Sequence, residues 1–118
     1  MLCYWGAYQN VGSVINLLYP RTDFDLIAIR HGYATNNQSG GGGQYAIVPA
    51  TGVGEIAEDP FGLTGTLNGN IYNITMYWSS LTQLKIQYNY SYTSKTSPGG
   101  TIRSILGFKL GAANHGNP

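Results

Sequence analysis

The chain has 118 residues, a formal net charge of +1 and only 9% charged residues, against roughly 25% in an ordinary soluble domain. That length suits one domain with its own core. The scattered Arg21, Arg30, Arg103, Lys85, Lys95 and Lys109 exclude the clustered basic footprint of a nucleic-acid binder, and apolar runs such as "VINLLY" fall far short of the roughly 20 residues that span a bilayer.

In chain order, "LCYWGAY" is a short aromatic run holding Cys3, the single cysteine; it predicts a buried small hydrophobe rather than a reactive thiol. No signal-peptide pattern opens the chain. "SVINLLY" alternates Ile15, Leu17 and Tyr19 before Pro20. A helix also fits its spacing, but β-branched residues between Gly12 and Pro20 favour a strand. "FDLIAIRHG" is nearly continuous in apolar residues, as a buried strand is. "HGYATNNQSGGGGQ", with four consecutive glycines, predicts a loop over 31–44.

"QYAIVP" predicts a strand ended by Pro49, and residues 50–70 a Gly-rich connection with one short strand around "LTGTL". "NIYNITMYW" alternates Tyr72, Ile74, Met76 and Trp78 against Asn73, Thr75 and Tyr77. "QLKIQYNYSYTS" continues with Leu84, Ile86, Tyr88, Tyr90 and Tyr92 on one parity. A "SPGG" turn and a closing strand "TIRSILGFKL" follow.

Seven or eight short strands without a substantial helix predict an all-β fold, an antiparallel β-sandwich of jelly-roll type. The domain spans 1–110, and 111–118 is a polar tail.

Chemistry-bearing groups are few. Asp23, Asp25, Glu55, Glu58 and Asp59 are the only carboxylates, and neither Asp23/Asp25 nor Glu58/Asp59 has the specific arrangement of a glycosidase pair. His31 reads as a strand-end residue satisfied by backbone, His115 as part of the tail. One cysteine and two distant histidines predict no zinc site. No catalytic residue, metal or cofactor is expected.

"GVGEIA" formally fits a dinucleotide-binding fingerprint, but Pro60 and Gly62 oppose the helix it needs. "SKT" has Ser94 where a phosphate-binding loop needs glycine. The N-x-S/T triplets at Asn37, Asn73 and Asn89 are expected by chance in such a polar chain. What remains is binding chemistry. Aromatic rings with a polar handle stack on the C–H faces of sugars while Asn and Gln meet the hydroxyls. The candidate ligand-binding residues are Tyr33, Asn36, Asn37, Tyr45, Trp78, Tyr90 and Tyr92.

"TDFDLIAIRHG" (22–32) and "TIRSILGFK" (101–109), with "SSLTQLKIQYNYSYTS" between them, resemble the C-terminal knob domain of bacteriophage tail fibres and receptor-binding proteins. The resemblance runs from about Asn10 to Leu110. Leu106 stands where that family often has tyrosine. It implies a non-enzymatic receptor-binding tip on the virion, usually a homotrimer, that recognises a bacterial surface polysaccharide or outer-membrane protein during host adsorption. The alternative is a structural or assembly domain with no receptor of its own. A third reading, a glycan-degrading enzyme, would need a carboxylate pair, or a tyrosine and a histidine, converging in a groove, with Asp23, Asp25, Glu58 and His31 as the groups available. The resemblance further implies that Phe24, Leu26, Ile102, Ile105 and Phe108 are core, that Asp25 is a structural or edge residue and that Gly107 is a bend or a close backbone approach. The penultimate strand is expected to pair with the closing one, with Leu84, Ile86 and Tyr88 inward and Tyr90 and Tyr92 at the rim.

Overall fold

The computed structural model describes residues 1–8, 10–33, 44–67 and 69–110. Eight strands are found among them: β1 (Leu2–Tyr8), β2 (Val14–Asn16), β3 (Leu26–Tyr33), β4 (Gln44–Pro49), β5 (Phe61–Leu67), β6 (Asn70–Ser80), β7 (Gln83–Ser91) and β8 (Gly100–Phe108). One 3-10 turn, Arg21–Asp23, is the only helical element described. No helix among the described residues is long and apolar enough to cross a membrane.

The strands form two antiparallel four-stranded sheets, ordered β1-β8-β3-β4 and β2-β7-β6-β5. The sandwich class read from the pattern is what the chain adopts. β1 pairs with the last strand and β2 with the last but one, the inward winding of a jelly roll. β3–β4 and β5–β6–β7 are plain hairpin neighbours instead, so the jelly roll is only half realised. β7 and β8 lie in different sheets, which corrects the expected pairing of the penultimate with the closing strand. The chain crosses between the sheets after Ser91, and β8 inserts between β1 and β3.

The core lies between the sheets. Cys3, Ile27, Ile29, Ile102 and Ile105 project from one side; Ile15, Leu63, Tyr72, Ile74, Met76, Trp78, Leu84 and Ile86 project from the other. The period-2 pattern explains these positions, because alternate residues of each strand share a face. The Ile15–Leu17 segment is β-structure, with Ile15 and Leu17 buried and Leu18 exposed.

At the end where β8 finishes, Phe24 lies over Gly107, where an added Cβ would sit 2.5 Å from the ring. Gly107 is therefore a close-approach site. Asp25 is structural there: its Oδ2 accepts from the Leu110 amide at 2.6 Å, and its backbone bridges Phe108 and Ala50. Of the five residues expected in the core, Phe24, Ile102 and Ile105 are buried, Leu26 is half-buried and Phe108 is exposed. Leu26 and Phe108 pair with each other on the outer face of their sheet, which the apolar run of β3 does not reveal.

Candidate functional site

The sequence stripe of β7 does not stay on one face. Thr75 pairs with Tyr88 but Met76 pairs with Ile86, so Gln87 is an extra residue, a β-bulge. Each residue of excess shifts the inward-outward phase by one. Leu84 and Ile86 point inward before the bulge; Asn89 and Ser91 point inward after it, both 1% exposed. Tyr88, Tyr90 and Tyr92 therefore all face outward. Tyr88, expected in the core, is 42% exposed; this is the correction that matters most for the site.

Two buried polar residues replace the tyrosines because the returning chain needs them. Asn89 Oδ1 accepts from the Gly99 and Gly100 amides at 2.8 and 2.7 Å, and its Nδ2 donates to Gly100 O at 2.7 Å. Backbone groups buried at such a crossing must find partners. Asn89 supplies them and is thereby closed to glycosylation. Asn73 is also engaged, donating to Thr64 Oγ1 at 3.2 Å.

The three tyrosines touch in sequence. Tyr88 and Tyr90 lie nearly parallel with ring centroids 6.0 Å apart, and Tyr90 meets Tyr92 edge to face at 5.4 Å. Neighbouring strands complete rows beside them: Gly62–Thr75–Tyr88, Thr64–Asn73–Tyr90 and Thr66–Ile71 next to Tyr92. Thr75 Oγ1 donates to Asn73 Oδ1 at 3.1 Å, so a relay from Thr75 through Asn73 to Thr64 fixes the amide. The Tyr88 phenol is pushed above its ordinary value, first by desolvation, then by its hydrogen bond to Tyr92 and the neighbouring phenols. Gln87 Nε2 donates to Ala57 O at 2.8 Å, anchoring loop 50–60 at the foot of the row.

The remaining candidates are dispersed. Trp78 is 3% exposed, inside the core with the Arg21 guanidinium 5.5 Å from its ring centroid; the alternation of β6 that singles it out also buries it. Arg21 in turn donates to Ala50 O at 2.7 Å and to Glu55 Oε2 at 2.8 Å. Tyr33 is half-buried at the end of β3, with Oη 3.2 Å from Ser94 Oγ. Tyr45 is exposed on the opposite sheet. Asn36, Asn37 and most of loop 31–44, like the tail 111–118, lie outside the described residues.

His31 is not held by backbone. It is 2% exposed, its Nδ1 lies 2.7 Å from Tyr72 Oη, and Tyr72 reaches Gln44 Oε1 at 3.5 Å. Burial lowers His31 to about 4 and pushes Tyr72 up to about 12. Asp25 precedes the other end of β3, roughly 20 Å away at about 3.3 Å per residue. Glu58 is exposed on loop 50–60. His31 and Asp25 therefore do not converge, and the histidine–tyrosine pair of His31 with Tyr72 is buried. No three His, Cys, Asp or Glu side chains among the described residues are placed to hold a metal ion.

Two features escaped the sequence. A groove of about 490 Å³ lined by Tyr19, Phe24, Phe108, Asp23 and Lys109 opens at the far end of the sandwich; its parts come from segments about 85 residues apart. The outer face of β1-β8-β3-β4 carries apolar side chains from all four strands, interrupted at Ser104 and Arg30. Its rows read Trp5–Ser104–Arg30–Tyr45, Leu2–Leu106–Ala28–Ile47 and Phe108–Leu26–Pro49. Trp5 is 70% exposed and Ile47 65%.

No protein-family model matches the chain, and no curated protein matches its sequence.

Proposed function

We propose that this domain is a non-enzymatic recognition module, the receptor-binding tip of a bacteriophage tail fibre, self-assembled through the outer face of β1-β8-β3-β4. The observation that carries the reading is the contrast between the two outer faces. One is a sheet of Trp, Leu, Ile, Phe and Tyr side chains interrupted by Arg30 and Ser104; the other presents tyrosines among Thr and Asn.

The magnitude favours an assembly. Taking roughly 150–250 Å² for an aromatic side chain and somewhat less for an aliphatic one, the exposed fractions of Trp5, Leu2, Tyr45, Ile47 and Phe108 leave about 500–600 Å² of apolar surface. That lies at the upper end of the roughly 300–600 Å² of a monomer's largest apolar patch, which is often functional, and would make up the apolar part of the about 800 Å² per partner of a standard interface. A homotrimer, as the knob resemblance implies, would cover this face on each copy. It would also account for a chain that needs so few surface charges.

Light scattering on the purified domain at tens of micromolar should give a trimer mass, and fluorescently labelled domain should decorate susceptible bacteria. A monomer overturns the assembly. A trimer that labels no cells, and whose removal leaves particles unassembled, instead establishes the alternative of a purely structural domain.

A further inference from the structure

We infer that the outer face of β5-β6-β7 is a platform for a neutral polysaccharide strand, with Tyr88, Tyr90 and Tyr92 stacking on sugar rings and Asn73, Thr75 and Thr64 meeting their hydroxyls. This rests on the recognition reading above and names its site and ligand class.

The bulge at Gln87 is the first support. Without it the tyrosines would sit in the core; with it they form a self-contacting row with exposed ring surface. From Tyr88 to Tyr92 the row runs roughly 13 Å at about 3.3 Å per residue, long enough for a short run of pyranose units. Sugars offer aliphatic faces to such rings and hydroxyls to the polar neighbours, the mixture that ring-plus-phenol side chains serve.

The second support is the prearranged relay. Thr75 donates to Asn73 and Asn73 to Thr64, so the Thr64 hydroxyl proton and the second Asn73 N–H are left to donate, while the hydroxyl and amide oxygens keep lone pairs. Groups already fixed lose little freedom when they bind.

The third is charge. The three rows carry no ionisable side chain besides the phenols, and Lys85, paired with Tyr77, is the single cation further along β7's outward face. A single-stranded nucleic acid needs a basic groove alongside its stacking rings, and an acidic glycan needs more than one lysine. A neutral chain is what this face complements. A second copy of the domain is better served by the more apolar opposite sheet.

The test uses affinity electrophoresis of the intact domain in gels cast with dextran, galactomannan, hydroxyethylcellulose or a neutral O-antigen polysaccharide, with alginate and hyaluronate as anionic probes. Cell labelling and light scattering run in parallel. At least one neutral polymer should retard the domain. Tyr90→Ala should weaken that retardation about tenfold, Tyr90→Phe should keep it within about threefold because the stacking ring survives, and Thr22→Ala, exposed on the 3-10 turn away from both outer faces, should leave it unchanged.

Retardation unaffected by Tyr88→Ala, Tyr90→Ala and Tyr92→Ala overturns the platform, as does preference for alginate or hyaluronate. A change of oligomer mass in Tyr90→Ala makes the row an interface and also overturns it. If no neutral polymer binds while cells are still labelled, the platform fails and the recognition reading stands; if cells are not labelled either, both fail.

Discussion

Acidification from pH 7.5 to 4.5 should weaken this fold chiefly through one buried side chain. His31 is buried against Tyr72, and burial lowers its pKa from 6.5 to about 4. In the unfolded chain it protonates near 6.5, in the folded chain only near 4. The stabilisation is therefore complete above about pH 6.5 and is lost as the pH falls through 4. Each pH unit between those two values removes about 1.4 kcal/mol, so about 2.5 kcal/mol is gone by pH 4.5. Taken as about 2 kcal/mol, the loss is a large share of the roughly 5–15 kcal/mol that holds a domain together. Urea unfolding at intervals from pH 7.5 to 4.5 measures it. His115→Gln serves as the background, leaving His31 the only histidine, and His31→Gln as the non-titrating comparison. The parent should lose about 2 kcal/mol more than the comparison. Parallel curves, differing by less than about 0.5 kcal/mol over the interval, would refute the assignment of a buried, uncharged His31.

Other expectations follow from the packing. Gly107→Ala forces a methyl against the Phe24 ring and should cost about 1–3 kcal/mol in urea titrations, the usual range for overpacking; a neutral outcome would mean Phe24 can swing away. Arg21→Ala strips the buried Ala50 carbonyl of its donor and should destabilise by about 1–3 kcal/mol. Glu55→Gln should cost less, because Glu55 is solvent-exposed and exposed ion pairs are weak; the reverse order would count against this account. Asn89→Ala orphans two amides and a carbonyl and should lower the melting temperature more than Tyr90→Ala does. Ile47→Lys, on the edge strand of the apolar face and 65% exposed, should shift the light-scattering mass to monomer while leaving the circular dichroism unchanged.

The strands were legible because local alternation determines them: β3, β4 and β6 match "FDLIAIRHG", "QYAIVP" and "NIYNITMYW" within a few residues. The sheet partners were less so, since whether β8 joins β7 or slips between β1 and β3 depends on contacts 67–104 residues apart. Tyr88 was misplaced for a sharper reason. Alternation predicts a face only while the count of residues on paired strands stays equal, and Gln87 breaks that count. One signal was present in "QYNYS": an apolar stripe that turns wholly to tyrosine just where Asn and Ser fill the alternate positions suits a row that has left the core. His31 was misread because its partner, Tyr72, is 41 residues away. Trp78 was misread as a ligand contact although its own strand pattern already directed it inward.

One inserted residue in β7 divides that strand into two stretches with separate duties. Below Gln87 every second side chain is answerable to the core; above it the outward positions are free of packing demands while Asn89 and Ser91 hold the crossing. Substitutions at 88, 90 and 92 can thus change what the domain touches without repacking its interior, so the surface chemistry can drift independently of the fold. Removing Gln87 would take out the extra residue and leave Ile86 followed directly by Tyr88, so plain alternation would keep the three phenols outward and Asn89 and Ser91 inward. The extra residue is thus a spacer that reconciles the two halves of the strand, and its deletion would cost the contact to Ala57 O rather than the tyrosine row.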